Sequence, residues 1–151
     1  MATKAPEISV KGLEKLKAVV ISASWHPEIC QSLTDGAVRG FKSAGISNIE
    51  IRTVAGSFEL PLAAQLALDE GFDIAAVVGV LIRGETAHFD YVCQGVTDGV
   101  MQVSLSRSKP IGFGVLMCET VEQAKARAGF ADSFEDKGFD SAVAALSILN
   151  K

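Results

Sequence analysis

Cysteine is sparse in this chain: Cys30, Cys93 and Cys118 are widely spaced and form no CxxC pair. An odd, scattered set excludes a disulfide framework and fits a cytoplasmic protein with reduced thiols. Cations are in deficit, with 14 Lys and Arg against 18 Asp and Glu and a formal net charge of −4. A general nucleic-acid partner is therefore not expected, because such proteins need a basic surface. Any anionic ligand must meet a local cluster of cations instead. Long apolar runs are missing too. The longest, Ile74 to Ile82, is too short to span a bilayer, so no membrane partner is expected. Residues 1–12 lack the apolar centre of a signal peptide. Only two histidines occur, His26 and His88, and neither has a second ligand at helical spacing, so no metal site is expected. There is no GxxxxGK[ST] loop, no GxGxxG and no GxSxG elbow, which removes the common nucleotide-binding and serine-hydrolase readings. The Gly112-Phe113-Gly114 triplet is a lone GxG inside an apolar run.

What remains is a folded domain. The chain has 151 residues, 48% hydrophobic and 21% charged, enough for one ordinary core. A mean hydropathy of +0.30 is high for a small soluble monomer and suggests that a partner covers part of the surface.

Residues 1–12 read as a mobile arm in which Ile8, Ser9 and Val10 alternate like an edge strand. From there, residues 13–151 form a single domain in which strand-like and helix-like segments take turns. Ala18–Ala23 reads as a strand. Pro27 opens a helix with Ile29, Leu33, Ala37 and Phe41 inward, Asp35 paired to Arg39 outside, and Gly45 as its stop. Ile49–Val54 reads as a strand, Phe58–Glu70 as a helix, and Ile74–Ile82 as a strand buried on both faces. Phe89–Leu105 is a helix with Val92, Val96, Val100 and Val103 inward. Its Gly95 and Gly99 permit close helix packing in an oligomer core. Ile111–Met117 is a fourth strand, and Val121–Ala128 and Ser141–Leu149 are closing helices. This alternation predicts an α/β three-layer sandwich, a four-stranded parallel flavodoxin-like sheet with helices on both faces. A flavin site is conceivable for such a fold, but only by analogy.

Ligands of such sheets collect at the carboxyl ends of the strands. Two segments there carry chemistry. In Arg83-Gly84-Glu85-Thr86-Ala87-His88, Gly84 lets the chain turn, and the amides of Glu85 and Thr86 are free to bind an anion such as phosphate. A histidine in the next turn, His88, is suited to moving protons. The alternative is a plain N-cap at Thr86 and a surface His88. In Gly56-Ser57-Phe58-Glu59, Glu59 is placed to accept hydrogen bonds from a polyol or amine, or only to complement the helix dipole. Trp25 offers a ring on which a planar heterocycle can stack, or is ordinary core. Phe113 lies near the start of its strand while the others lie past the ends of theirs, roughly 17–20 Å away for an ordinary strand. It is therefore core, or it completes a neighbour's site. The same choice applies to Arg127 and Lys137, whose other reading is solvated surface charge.

These residues resemble a known family. Val54-Ala55-Gly56-Ser57-Phe58-Glu59-Leu60-Pro61 is similar to the V-x-G-[AS]-[FIY]-E-[IL]-P segment of the 6,7-dimethyl-8-ribityllumazine synthases. Gly79 through Cys93 is similar to their G-x-[VL]-I-R-G-x-T-x-H-[FY]-D-Y-V-C segment, and Pro110–Leu116 and Glu122–Gly129 to their last two blocks. The resemblance runs in order from about Leu16 to the C-terminus. It implies condensation of two small-molecule substrates, 5-amino-6-(D-ribitylamino)uracil and the phosphorylated 3,4-dihydroxy-2-butanone 4-phosphate. The products are the lumazine, phosphate and water, and the reaction uses no metal and no organic cofactor. It implies that Trp25 stacks on the pyrimidine, covered by Phe113 of an adjacent subunit. Gly56, Ser57, Phe58 and Glu59 line the ribityl chain, and Val80, Leu81 and Ile82 contact the uracil. The backbone at Glu85 and Thr86, with Arg127 of the neighbour and Lys137, holds the phosphate, and His88 transfers protons. It also implies a homo-oligomer, a pentamer or an assembly of pentamers with sites at subunit interfaces, whose N-terminal arm adds to a neighbouring sheet. The 130–138 stretch is acidic and varies in length across the family, and Glu85 sets a carboxylate beside the phosphate loop. An archaeal-type riboflavin synthase shares the fold, but the Gly-Ser-Phe-Glu and Arg-Gly-Glu-Thr-Ala-His blocks argue against it. A non-catalytic shell-forming or lumazine-binding protein is the alternative of a different class.

Overall fold

The computed structural model describes residues 4–150. Four parallel strands form one sheet in the order β2-β1-β3-β4, with β1 Lys17–Ser22, β2 Asn48–Thr53, β3 Ile74–Ile82 and β4 Ile111–Cys118. Between and after them run α1 (Pro27–Ser43), α2 (Leu60–Asp69), α3 (His88–Arg107), α4 (Val121–Lys125) and α5 (Lys137–Leu149). The flavodoxin-like three-layer sandwich read from the sequence is the one observed.

Strand alternation distributes the core into two layers. Ala18 and Val20 of β1, with Ile74, Ala76 and Val78 of β3, face α1 and α5. Val19 and Ile21, with Ala75 and Val77, face α2 and α3. The first seven residues of β3 are buried on both sides, as its unbroken apolar run requires. On α1, Ile29, Leu33, Ala37 and Phe41 are all buried, and Gly45 ends the helix at φ 88°. Helices α1 and α5 lie so close that a Cβ on Gly138 would fall 2.0 Å from the Leu33 carbonyl oxygen. Only glycine lets the start of α5 seat there.

Several boundaries differ from the sequence reading. The second helix begins as a 3-10 turn, Ser57–Glu59, before α2 proper, because Pro61 has no N–H with which to continue a ladder. The last helix starts at Lys137, four residues earlier than expected, because Asp136 caps it by accepting from the Phe139 amide. Helix α4 ends at Lys125. Asp35 does not pair with Arg39. Arg39 Nη2 donates to Asp136 Oδ2 at 2.9 Å and its guanidinium lies over the Phe139 ring, while Asp35 accepts from Gln31. A tertiary partner on a helix cap outweighs a helical pair worth only about 0.2–0.5 kcal/mol. Gly95 and Gly99 give close packing within the chain. Their open sites are filled by Phe58 and Pro61 of the same chain. Within the arm, residues 4–12 form no strand, and Val10 is buried in the α1–α5 layer.

Candidate functional site

A cavity of ≈ 640 Å³ opens at the carboxyl ends of β1, β2 and β3. That volume suits a small organic ligand. It is walled by three segments, each leaving a different strand.

From β1, Trp25 reaches the cavity with 70% of its surface exposed, which excludes the ordinary-core reading. His26 adopts a left-handed backbone, φ 55°, as the cap of α1. That turn sends the chain into Pro27 and leaves the indole free.

From β2 come Gly56, Ser57, Phe58 and Glu59. A Cβ on Gly56 would fall 3.5 Å from both Trp25 Nε1 and Glu59 Oε1, so these polar atoms flank one small gap. Ser57 is 4% exposed and, among the described residues, its Oγ has no hydrogen-bond partner. A buried hydroxyl without a partner costs free energy, which stability alone does not explain. Among the described residues, the amides of Ser57 and Phe58 donate to no protein group. The Glu59 and Leu60 amides are used, bonding to Gly56 and Ser57 carbonyls.

From β3, the cavity takes Val80, Leu81 and Ile82 as its apolar floor, then Gly84, Thr86 and His88. The amides of residues 84–87 donate to no protein group among the described residues, whereas the His88 amide bonds Thr86 Oγ1 at 3.3 Å. Unpaired amides at the start of the 20-residue α3 favour an anion there. The helix cap is Ala87, not Thr86, and His88 is exposed toward the cavity.

Arg83 fastens this loop. Its Nε donates to Glu119 at 2.9 and 3.1 Å, its Nη1 donates to Asp90, and its guanidinium lies 4.6 Å from the Phe89 ring centre. Asp90 and Glu119 together hold the guanidinium above its ordinary pKa. The Glu119 amide donates to Gln123 Oε1 at 2.7 Å, the same oxygen that closes the Thr120 capping box at the start of α4. Burial pushes the pKa of Cys30, Cys93 and Cys118 up in each case. Among the described residues, no three His, Cys, Asp or Glu side chains converge as metal ligands, and no helix is long and apolar enough to cross a membrane.

Ten of the fourteen residues singled out in the sequence line this cavity. Glu85 lies in its loop but not in its wall, and Phe113, Arg127 and Lys137 stand outside it. Phe113 pairs in register with Val77, on the α2–α3 side of β4, and is 39% exposed. Arg127 and Lys137 sit beyond β4, around Glu135. His26, Gly84, Phe89 and Val92 complete the lining and were not singled out. Val92 follows His88 by four residues and follows Phe89 by three, the spacings that share a helix face, a signal the sequence did contain.

The chain is similar to known proteins over nearly its whole length. A family model described as 6,7-dimethyl-8-ribityllumazine synthase matches residues 15–151. A protein of that name from Streptomyces coelicolor is 48% identical over 143 residues, covering 95% of this chain and 89% of the relative. One from Streptomyces avermitilis shows the same identity and coverage. One from Arthrobacter sp. is 47% identical over 148 residues, 95% and 91% of the two chains.

Proposed function

The chain belongs to the 6,7-dimethyl-8-ribityllumazine synthase family, and from that premise we propose that it condenses 5-amino-6-(D-ribitylamino)uracil with 3,4-dihydroxy-2-butanone 4-phosphate to give the lumazine. The observation that carries this reading is the convergence of Trp25, Ser57, Glu59 and His88 on one cavity of suitable size. The pyrimidine stacks on Trp25 over the floor of Val80, Leu81 and Ile82. The ribityl hydroxyls meet Ser57 Oγ, the free amides of Ser57 and Phe58, and the Glu59 carboxylate. The phosphate meets the amides of residues 84–87, among them those of Glu85 and Thr86, with the Glu85 side chain turned to solvent.

The chemistry follows. The amine of the aminouracil attacks the ketone and water leaves, giving an imine. Phosphate is then eliminated. The second amine closes the ring and a second water leaves. Holding two substrates in register removes much of the barrier, worth up to about 7–11 kcal/mol in well-oriented cases. Fixed amides stabilise the departing phosphate without reorganising. His88 passes the proton that the elimination requires. No metal or organic cofactor enters these steps.

The site is completed by a second subunit. Phe113, Arg127 and Lys137 lie outside the cavity of their own chain, and a half-open aromatic and two half-exposed cations suit the neighbouring subunit's site. The homo-oligomer is a pentamer or an assembly of pentamers, with the N-terminal arm laid on the exposed edge strand β2, where Ile51 stands 55% exposed. The setting is cytoplasmic, with reduced thiols. The test is lumazine formation from both substrates, read against a blank without protein. A rate well above the blank is expected. A rate equal to the blank from assembled protein would leave the shell-forming or lumazine-binding reading.

A further inference from the structure

After α4, residues 126–129 run antiparallel to residues 135–137. The ladder is short: Glu135 N donates to Ala126 O at 3.0 Å, Gly129 N to Glu135 O at 3.0 Å, and Lys137 N to Arg127 O at 2.9 Å, around a bridge between Ala128 and Asp136. This register sets Arg127 directly opposite Lys137. Two like charges in that position repel. The two-residue period puts Glu135 on the same face as Lys137. Its side chain is 1% exposed, and among the described residues neither carboxylate oxygen has a well-directed hydrogen bond. Lys137 Nζ lies 2.7 Å from Oε2 and Arg127 Nε lies 3.9 Å from Oε1. The cations are 32% and 38% exposed, so the anion is inside and the cations are outside.

A buried carboxylate costs several kcal/mol unless charges compensate it, and here two cations do so while their tips stay open. The other charges nearby are committed elsewhere or are anionic. Asp136 caps α5 and binds Arg39, and Asp140 is raised in pKa by burial. Arg127 is held from its other side, Nη1 donating to the Gln123 carbonyl at 2.9 Å. The frame is rigid because Gly138 seats α5 on α1.

We propose that Glu135 is a positioning residue, the internal counter-ion that holds Arg127 and Lys137 side by side as a two-point clamp for the substrate phosphate at the neighbouring subunit's site. This rests on the reading that Arg127 serves the phosphate. Glu135 touches no substrate. Its carboxylate sets the spacing of two cations that would otherwise move apart.

The experiment compares wild type, Glu135→Gln and Glu135→Asp in the assembled enzyme, by steady-state kinetics and by calorimetric titration with inorganic phosphate. Glu135→Gln raises KM for the phosphorylated ketone by about five- to tenfold, the scale of one charge-assisted contact. The KM for the aminouracil is unchanged, and phosphate affinity falls by a similar factor. Glu135→Asp keeps the charge and gives a smaller rise in the same direction, and it alone decides the matter if Glu135→Gln does not assemble. Equal shifts in both KM values, no shift, or a lower KM for the phosphorylated ketone would overturn the proposal. Wild type that makes lumazine, with variants of unchanged KM, sinks this inference alone. Wild type whose phosphate affinity falls when Glu135 is replaced, but which makes no lumazine, sinks the reaction and spares the clamp. Wild type that does neither sinks both.

Discussion

Ser57 Oγ stands against Gly79, at a point where a Cβ on that glycine would fall 2.5 Å from it. The contact holds the hydroxyl in the cavity wall, buried and, among the described residues, without a partner. A group kept unsatisfied by a glycine built to admit it is better explained by a ligand than by stability.

Replacing Ser57 by alanine separates these two roles. The substitution removes an unpaired buried hydroxyl, so thermal unfolding should show no loss of stability, or a gain of about 1 kcal/mol. The KM for the ribityl substrate should instead rise about tenfold, the value of one lost hydrogen bond in a dry site. Kinetics and melting on the same preparation check both signs.

Arg83→Gln releases the loop from Glu119 and Asp90. Both carboxylates are exposed, so the expected stability loss is at most about 1 kcal/mol. The effect on function should be larger, since the loop that carries Gly84, Thr86 and His88 loses its side-chain ties to Glu119 and Asp90 and keeps only the Arg83 amide bond to the Cys118 carbonyl. Turnover should fall and the KM for the phosphorylated ketone should rise, with aminouracil binding intact. Equilibrium titration with each substrate distinguishes this from general unfolding.

His88→Ala should slow turnover by about a hundredfold, at the low end for a lost acid–base group. It should not abolish it, because stacking and phosphate binding survive. Complete loss in an assembled protein that still binds both substrates would contradict the assigned division between positioning and proton transfer.

The 130–138 stretch shows what the sequence could and could not reveal. The continuous apolar run of β3 and the four-residue spacing on α1 announce buried surfaces directly, and both were readable. Strand ends located Trp25, Ser57 and His88, because a parallel sheet puts its loops on one side. The start of α5 was not readable, because its cap Asp136 hides among other acids and its first turn carries Gly138. Nor was the meeting of Arg127, Glu135 and Lys137. It depends on a two-strand ladder whose register is set by backbone hydrogen bonds, not by a hydrophobic pattern. The Asp35–Arg39 pair failed for a related reason, since Arg39 finds Asp136 only after α1 and α5 have packed.

Asp140 gives a pH test of that same helix start. Burial first, and the nearby Asp136 and Glu135 second, raise its pKa above 3.8 despite Lys137. A raised carboxylate pKa contributes stability that is fully present below the unfolded value and is lost as pH rises through the folded one. Ionised Asp140 is therefore a cost at neutral pH. Asp140→Asn should melt higher than wild type at pH 7, with the difference gone in acid below the unfolded pKa. Unfolding curves at the two pH values check it.

The most direct test of the account is subunit complementation. One inactive parent carries Trp25→Ala with His88→Ala, which destroys the cavity. The other carries Arg127→Ala, which removes the clamp. Co-expressed and assembled together, they create some interfaces where an intact cavity meets an intact Arg127. Random mixing makes this roughly a quarter of the sites in a closed ring, and lumazine formation should recover toward that fraction of the wild-type rate. Mixed assemblies no more active than the average of the two parents would contradict a site shared between subunits.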